Sequence, residues 1–237
     1  MKLYCCYTPA HEVLFQNYFL PTIPKAFNVI STRLDIAGAG DFLSPEFLHC
    51  IGRKMELVIE SIRENWGETI IWSDVDVQFY NLQPNLALAD LGKNEVAFQR
   101  ETKATADVNT GFFICLCNAE VLRFFELVVV GLLENQQANE QWVINNLLQK
   151  KTTPLTWDFL PLSYYARTHG WPPPRQLALY HANWTKGKNG VAQKIRQFRE
   201  LSLIRRLGFP ALVIFSIKYA PRRLWRLLSK GFKSSRS

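Results

Sequence analysis

The 237-residue sequence has no run of roughly 20 apolar residues, the length a helix needs to cross a bilayer. Its C-terminal apolar stretch, residues 207–217, is too short and holds Pro210. No spanning helix is expected. Cysteines are few and odd in number: Cys5, Cys6, Cys50, Cys115 and Cys117. None stands at a paired metal-binding spacing and four lie in apolar strand-like runs, which points away from a disulfide framework and toward small core residues in a reducing compartment. Internal repeats and low-complexity tracts are absent. The start reaches a turn at Thr8-Pro9 before any stretch of signal-peptide length develops, so residues 2–7 read as a buried strand.

Acid is scarce at the other end. From Lys186 onward there are 14 Lys and Arg against one acid, Glu200, whereas the preceding residues are net acidic. The overall charge of +8 therefore belongs to the tail, and any argument about anionic surfaces must be made there.

A 48% hydrophobic content over this length supports a sizeable core. Short apolar runs at 2–7 and 27–32 read as strands around a helix at 13–20 that Pro21 and Pro24 interrupt. Ser44-Pro45-Glu46 supplies an N-cap, a proline suited to the first turn and an acid. Phe47, Ile51, Met55, Val58, Ile62 and Trp66 follow at helical spacing, and Gly67 ends the helix. Further strands are expected at 69–73, 95–99, 110–117 and 177–180, with helices at 119–133 and 140–148 opened by Asn118 and Asn139. Strands alternating with helices imply an α/β layered sheet, whose ligands sit beyond the carboxyl ends of the strands.

The chemical signal is Ser73-Asp74-Val75-Asp76, directly after the continuous apolar strand 69–73. If the strand persists, its alternation gives Asp74 and Asp76 one facing. Two carboxylates so placed repel each other and are poorly solvated, so a hard divalent cation, Mg²⁺ or Mn²⁺, is their natural compensation. A solvated turn carrying two acids is the competing reading.

The run Ser73-Asp74-Val75-Asp76-Val77-Gln78-Phe79, followed by Asn109-Thr110-Gly111-Phe112-Phe113 and by His181-Ala182-Asn183-Trp184-Thr185, resembles the nucleotide-diphospho-sugar transferase family of GT-A fold, related to plant enzymes that transfer xylose or arabinose. The resemblance extends over residues 2–197. It implies a Rossmann-like, mostly parallel mixed sheet flanked by helices, and a nucleotide-diphosphate sugar donor, with a UDP-sugar expected.

Carried over position by position, Asp74 and Asp76 match the family's Asp-x-Asp motif, which holds the cation bridging the donor phosphates, and His181 matches the histidine that completes the metal shell. Ser73 belongs to the same motif. Asn109 and Gly111 stand where the family contacts the sugar, with glycine permitting close backbone approach. Glu140-Gln141 resembles the family's Asp-Gln segment near the reacting carbon, with Glu140 in place of the usual aspartate; an acid in a first helical turn also has a dipole explanation. Thr8 is placed at the nucleotide base, Lys54 at the basic position of the long helix, and Asn183 in the histidine motif. Lys186, in the loop Lys186-Gly187-Lys188-Asn189-Gly190, is the expected cation for the leaving diphosphate; a plain basic surface loop is the alternative.

The organisation expected is a catalytic domain over 1–193 and a basic amphipathic helical tail over 194–237. In the tail Arg205, Arg206, Lys218, Arg222, Arg223, Arg226 and Lys230 alternate with Leu224, Trp225, Leu227, Leu228 and Phe232. That composition suits a cytoplasmic protein lying against an anionic membrane face; a helical pair packed on the domain is the alternative, and nucleic acid is not an expected partner. The functional expectation is metal-dependent, retaining sugar transfer to a glycan, lipid-linked or other hydroxyl acceptor. A metal-dependent nucleotidyltransferase or phosphohydrolase, and a noncatalytic membrane module of the same fold, remain open.

Overall fold

The computed structural model describes residues 1–38, 44–135 and 137–219. In chain order, β1 (Lys2–Tyr7) leads into a composite helical segment: a 3-10 turn at Pro9–His11, α1 (Glu12–Leu14), a π-turn at Phe15–Phe19 and a 3-10 turn at Leu20–Thr22. Next come β2 (Asn28–Arg33), the long α2 (Pro45–Glu64), β3 (Thr69–Ser73), β4 (Val77–Phe79), α3 (Pro84–Leu91), β5 (Val96–Arg100) and β6 (Val108–Leu116). After them run α4 (Ala119–Glu134), α5 (Glu140–Lys150), β7 (Trp157–Phe159), β8 (Tyr164–Ala166), β9 (Leu179–His181) and α6 (Gly190–Leu207). Gly208, at φ 65°, separates α6 from a last helix over residues 209–219.

Caps fix where the helices begin. The Ser44 hydroxyl accepts the Phe47 amide at 3.2 Å, Asn118 Oδ1 accepts that of Val121 at 2.9 Å, and Asn139 Oδ1 accepts that of Trp142 at 2.8 Å. Each satisfies a donor that the first helical turn leaves open. The expected stripe of α2 is buried at Ile51, Met55, Val58 and Ile62, but the helix ends at Glu64, and Trp66, beyond the end, is 57% exposed.

The main sheet runs β2-β1-β3-β6-β5-β7, with every pair parallel except those made by β6, which opposes both neighbours. Strand alternation sends Leu3, Ile71, Phe112 and Ile114 to one face and Tyr4, Ile70, Trp72, Phe113 and Cys115 to the other. The second face is closed by α2, α4 and α5. The first packs on the composite helical segment, α3, the second sheet (β4-β9-β8) and α6, whose Phe198 and Leu201 are in that core. Burial of each such aromatic or aliphatic side chain contributes about 1.5–3 kcal/mol. All five cysteines are free.

Helix α6 runs unbroken across position 194. The helix that follows is held to it by Glu200, which accepts Lys218 Nζ at 2.9 Å and the Tyr219 hydroxyl at 2.7 Å, while Trp171 stacks on Phe215 and Tyr219. Among the described residues no helix is long and apolar enough to cross a membrane. The expected basic–apolar pattern at Arg222, Arg223, Leu224, Trp225, Arg226, Leu227, Leu228, Lys230 and Phe232 lies outside the described residues.

Candidate metal and donor site

The carboxyl ends of β1 and β3 and the amino end of β6 meet at a cavity of about 270 Å³. Strand β3 stops at Ser73, so the Asp74–Asp76 pair is not displayed by strand alternation as expected. A turn does the work instead, anchored at both ends: the Asp74 amide donates to the Gly111 carbonyl at 2.7 Å, and the Ala182 amide donates to the Asp76 carbonyl at 2.9 Å. Strand β4 then pairs antiparallel with β9, setting Val77 opposite His181. As a result one ligand atom from each of Asp74, Asp76 and His181 lies within 4.8 Å of the others.

The orientation and tautomer of the His181 ring follow from its neighbours. Gln99 Nε2 donates to the Tyr164 carbonyl at 3.1 Å, which orients the amide so that Oε1 faces His181 Nδ1 at 2.7 Å. An amide oxygen only accepts, so the network selects the Nδ1–H tautomer, the form of the neutral ring whose Nε2 can ligate a metal. Nε2 points at Asp76 Oδ1, 3.2 Å away, a buried oxygen with no hydrogen-bond partner among the described residues. Two lone-pair atoms facing each other across that gap, with Asp74 alongside, fit a cation between them.

Strand β6 makes room for this. The β5–β6 register slips between Phe98 and Gln99, pairing Phe98 with Phe113 but Gln99 with Asn109, so Thr110, Gly111 and Phe112 are extra residues on β6. Thr110 and Gly111 line the cavity. Asn109 Oδ1 accepts the Gly111 amide at 2.9 Å and its amide group donates to Glu101, which Asn183 also reaches at 3.4 Å.

Lys54, at the basic position of the long helix, is buried among acids. Its ammonium lies 2.8 Å from Asp74 Oδ1 and 3.1 Å from Glu140 Oε1, and Glu140 also accepts from the Thr110 hydroxyl at 3.2 Å. Burial pushes the lysine down, but Asp74 and Glu140 outweigh it and raise its pKa above the ordinary value. Burial raises Asp74, and Lys54 only partly offsets this. Burial also acts upward on Asp76, yet the Lys194 ammonium overcomes it and holds that carboxyl well below the usual range. Cys6 and Cys50 line the cavity too; burial raises both thiols, which keeps them protonated.

Of the residues singled out in the sequence, Thr8, Lys54, Asp74, Asp76, Asn109, Gly111, Glu140, Gln141, His181 and Asn183 line this one cavity. Ser73 lies beneath it, fully buried, its hydroxyl donating to the Asp74 carbonyl at 3.0 Å. Lys186 is not among the lining residues: it is exposed, and its backbone amide and carbonyl are tied to the Gln193 side chain at 3.0 and 2.7 Å. Beside Lys54, the lysine that reaches the cavity from the C-terminal part of the chain is Lys194, one turn into α6, with its ammonium 2.7 Å from Asp76 Oδ2. Sequence reading also missed His11, Glu101, Thr185 and the supporting Gln99. Thr185 closes the histidine motif without having been singled out; His11, Glu101 and Gln99 sit in no local motif.

A family model described as nucleotide-diphospho-sugar transferase matches residues 18–198. No curated protein sequence matches the chain significantly. Among solved structures it is similar to the glycosyltransferase GlyE of Streptococcus pneumoniae TIGR4, with a TM-score of 0.56 at 11% identity, covering 84% of this chain and 63% of that one. It is also similar to a glycosyltransferase involved in glycosylation of the major capsid of PBCV-1, with a TM-score of 0.55 at 11% identity, covering 82% of this chain and 97% of that one. The chain thus spans less than two thirds of GlyE, and at this identity both likenesses bear on the fold alone. The family match covers most of the chain and includes the Asp74–Asp76 turn, the β6 bulge and His181, and on that basis the protein belongs to the nucleotide-diphospho-sugar transferase family.

Proposed function

We propose that this protein is a metal-dependent glycosyltransferase that moves a sugar from a nucleotide-diphosphate donor, a UDP-sugar in the simplest case, to the hydroxyl of a glycan, lipid-linked or other acceptor. One observation carries the reading: Asp76 Oδ1, buried and without a hydrogen bond, faces Nε2 of His181 beside Asp74 at the edge of a ligand-sized cavity. Asp74, Asp76 and His181 would hold Mn²⁺ or Mg²⁺, and the mixed oxygen and imidazole set favours Mn²⁺. When bound, the ion supplies positive charge for the donor's two phosphates.

The chain's own residues have separable tasks. Lys54 holds Asp74 and Glu140 apart from each other's charge and fixes both rotamers. Ser73, through its bond to the Asp74 carbonyl, steadies the turn that carries the acidic pair. Thr8, at the end of β1, lies on the side assigned to the nucleotide base. Gly111 lets the His181 ring approach the backbone of β6, and Asn109, Glu140, Gln141 and Asn183 surround the space where the anomeric carbon would sit. Catalysis is then chiefly positional and electrostatic, in a site arranged before the substrate arrives. Retention of anomeric configuration is the expected outcome.

The C-terminal region gives the proposal a location, against the cytoplasmic membrane face. Phe209, Ile214 and Ile217 are exposed large apolar residues on the last described helix, and Arg205 and Arg206 precede it.

Titration calorimetry with nucleoside diphosphates, with and without Mn²⁺, tests the donor site. Metal-linked binding is expected in the native protein, and Asp76→Asn should abolish it while thermal unfolding remains cooperative. Equal affinity with and without Mn²⁺, or an undiminished affinity in D76N, would sink the reading.

A further inference from the structure

Asp76 uses its two carboxylate oxygens differently. Oδ2 lies 2.7 Å from the Lys194 ammonium, whereas Oδ1 faces His181 Nε2 with no hydrogen bond. The Lys194 side chain is 19% exposed and belongs to a helix packed in the core, so its backbone is fixed while its head can move. A lysine head rides on four rotatable carbons and is a compact charge that can trade one oxygen partner for another.

A cation at Oδ1 and an ammonium at Oδ2 of the same carboxylate are only a few ångström apart and repel strongly in a partly buried site. They are compatible when an anion enters between them. A diphosphate is such an anion, and the ammonium is then free to pair with its terminal phosphate.

We infer that Lys194 couples metal and diphosphate: it pairs with Asp76 before either binds, opposes the metal ion when that binds alone, and grips the leaving diphosphate once the donor is bound. The inference rests on the donor site proposed above and assigns it a residue that local sequence did not suggest. It also gives a physical reason for the position of Lys186. Gln193 accepts from the Lys186 amide at 3.0 Å and donates to the carbonyls of Lys186 and Lys188 at 2.7 and 2.9 Å, so the glycine-containing loop is tied to α6 with Lys186 exposed.

Two affinities test it: Mn²⁺ for the nucleotide-free protein, and a nucleoside diphosphate for the Mn²⁺-saturated protein, compared with the corresponding monophosphate. Lys194→Met should move them in opposite directions, tightening Mn²⁺ alone and weakening the diphosphate, each by roughly tenfold, with the diphosphate-over-monophosphate preference lost. Lys194→Arg should restore that preference. Lys194→Gln, which keeps a polar head, is the second neutral variant should the methionine protein not fold.

A variant that weakens both affinities together marks a structural lysine and overturns the inference. So does an unchanged diphosphate preference in K194M, or its loss in Lys186→Met instead. Failure of the donor reading itself looks different: the native protein would show no Mn²⁺-linked diphosphate binding at all.

Discussion

The imidazole of His181 occupies the space where a side chain at position 111 would begin. A Cβ built on Gly111 comes within 2.2 Å of His181 Cε1 and 2.9 Å of Nε2. The glycine is thus required by close approach, since its backbone angle is one any residue can adopt. Gly111→Ala must push the ring away from Asp76. We expect at least a tenfold loss of Mn²⁺ affinity together with an overpacking cost of about 1–3 kcal/mol in stability. Calorimetry and urea unfolding on the same preparation separate the two effects. A G111A protein that binds Mn²⁺ like the native one would show that His181 is not a ligand.

Lys54 is the only ammonium between Asp74 and Glu140 among the described residues, at 2.8 and 3.1 Å. Removing it leaves the buried Glu140 facing the partly exposed Asp74, which costs more than the intact cluster contributes over an apolar replacement. Lys54→Met should lower unfolding free energy by about 2–3 kcal/mol, less than for a fully buried pair because water reaches Asp74, and adding Glu140→Gln should recover part of the loss. Urea unfolding reads both. A loss below about 1 kcal/mol would mean that water reaches the cluster and that its charges are already solvated.

Much of this arrangement was legible in the sequence because local chemistry encodes it. The caps at Ser44, Asn118 and Asn139 fall where they were read, and β1 and β3 have their expected bounds, since continuous apolar runs closed by turn residues carry their own limits. Asp74, Asp76 and His181 were brought together by motif. The second sheet was mostly illegible: β4 and β8 are three residues each, stable only through pairing with β9 some hundred positions from β4. The composite turns at Pro9–Thr22 escaped for a related reason, because α, 3-10 and π hydrogen bonding share one apolar pattern.

Lys186 and Lys194 are the instructive pair. Its place in a glycine-containing loop favoured the first, but Gln193 holds the loop of Lys186 to α6, and one helical turn carries the second back to Asp76. Gln99 was invisible for the same reason: its role depends on the β5–β6 slip, a tertiary event with no local signature.

His11 ties the site to pH. It lines the cavity, its Nδ1 lies 2.9 Å from the Thr8 hydroxyl, and burial, reinforced by the nearby Lys194 charge, lowers its pKa from 6.5 to about 4. The native state therefore binds fewer protons than the unfolded chain between those values. Its contribution to stability is complete above pH 6.5 and is lost as pH falls toward 4, at up to about 1.4 kcal/mol per pH unit. His11→Asn cannot take up that proton. Between pH 7 and pH 5 the native protein should lose about 1–2 kcal/mol more than the variant, a figure reduced for partial solvent access. Denaturant unfolding of both proteins at the two pH values measures the difference, and parallel curves would mean that His11 titrates in the folded protein as it does in water.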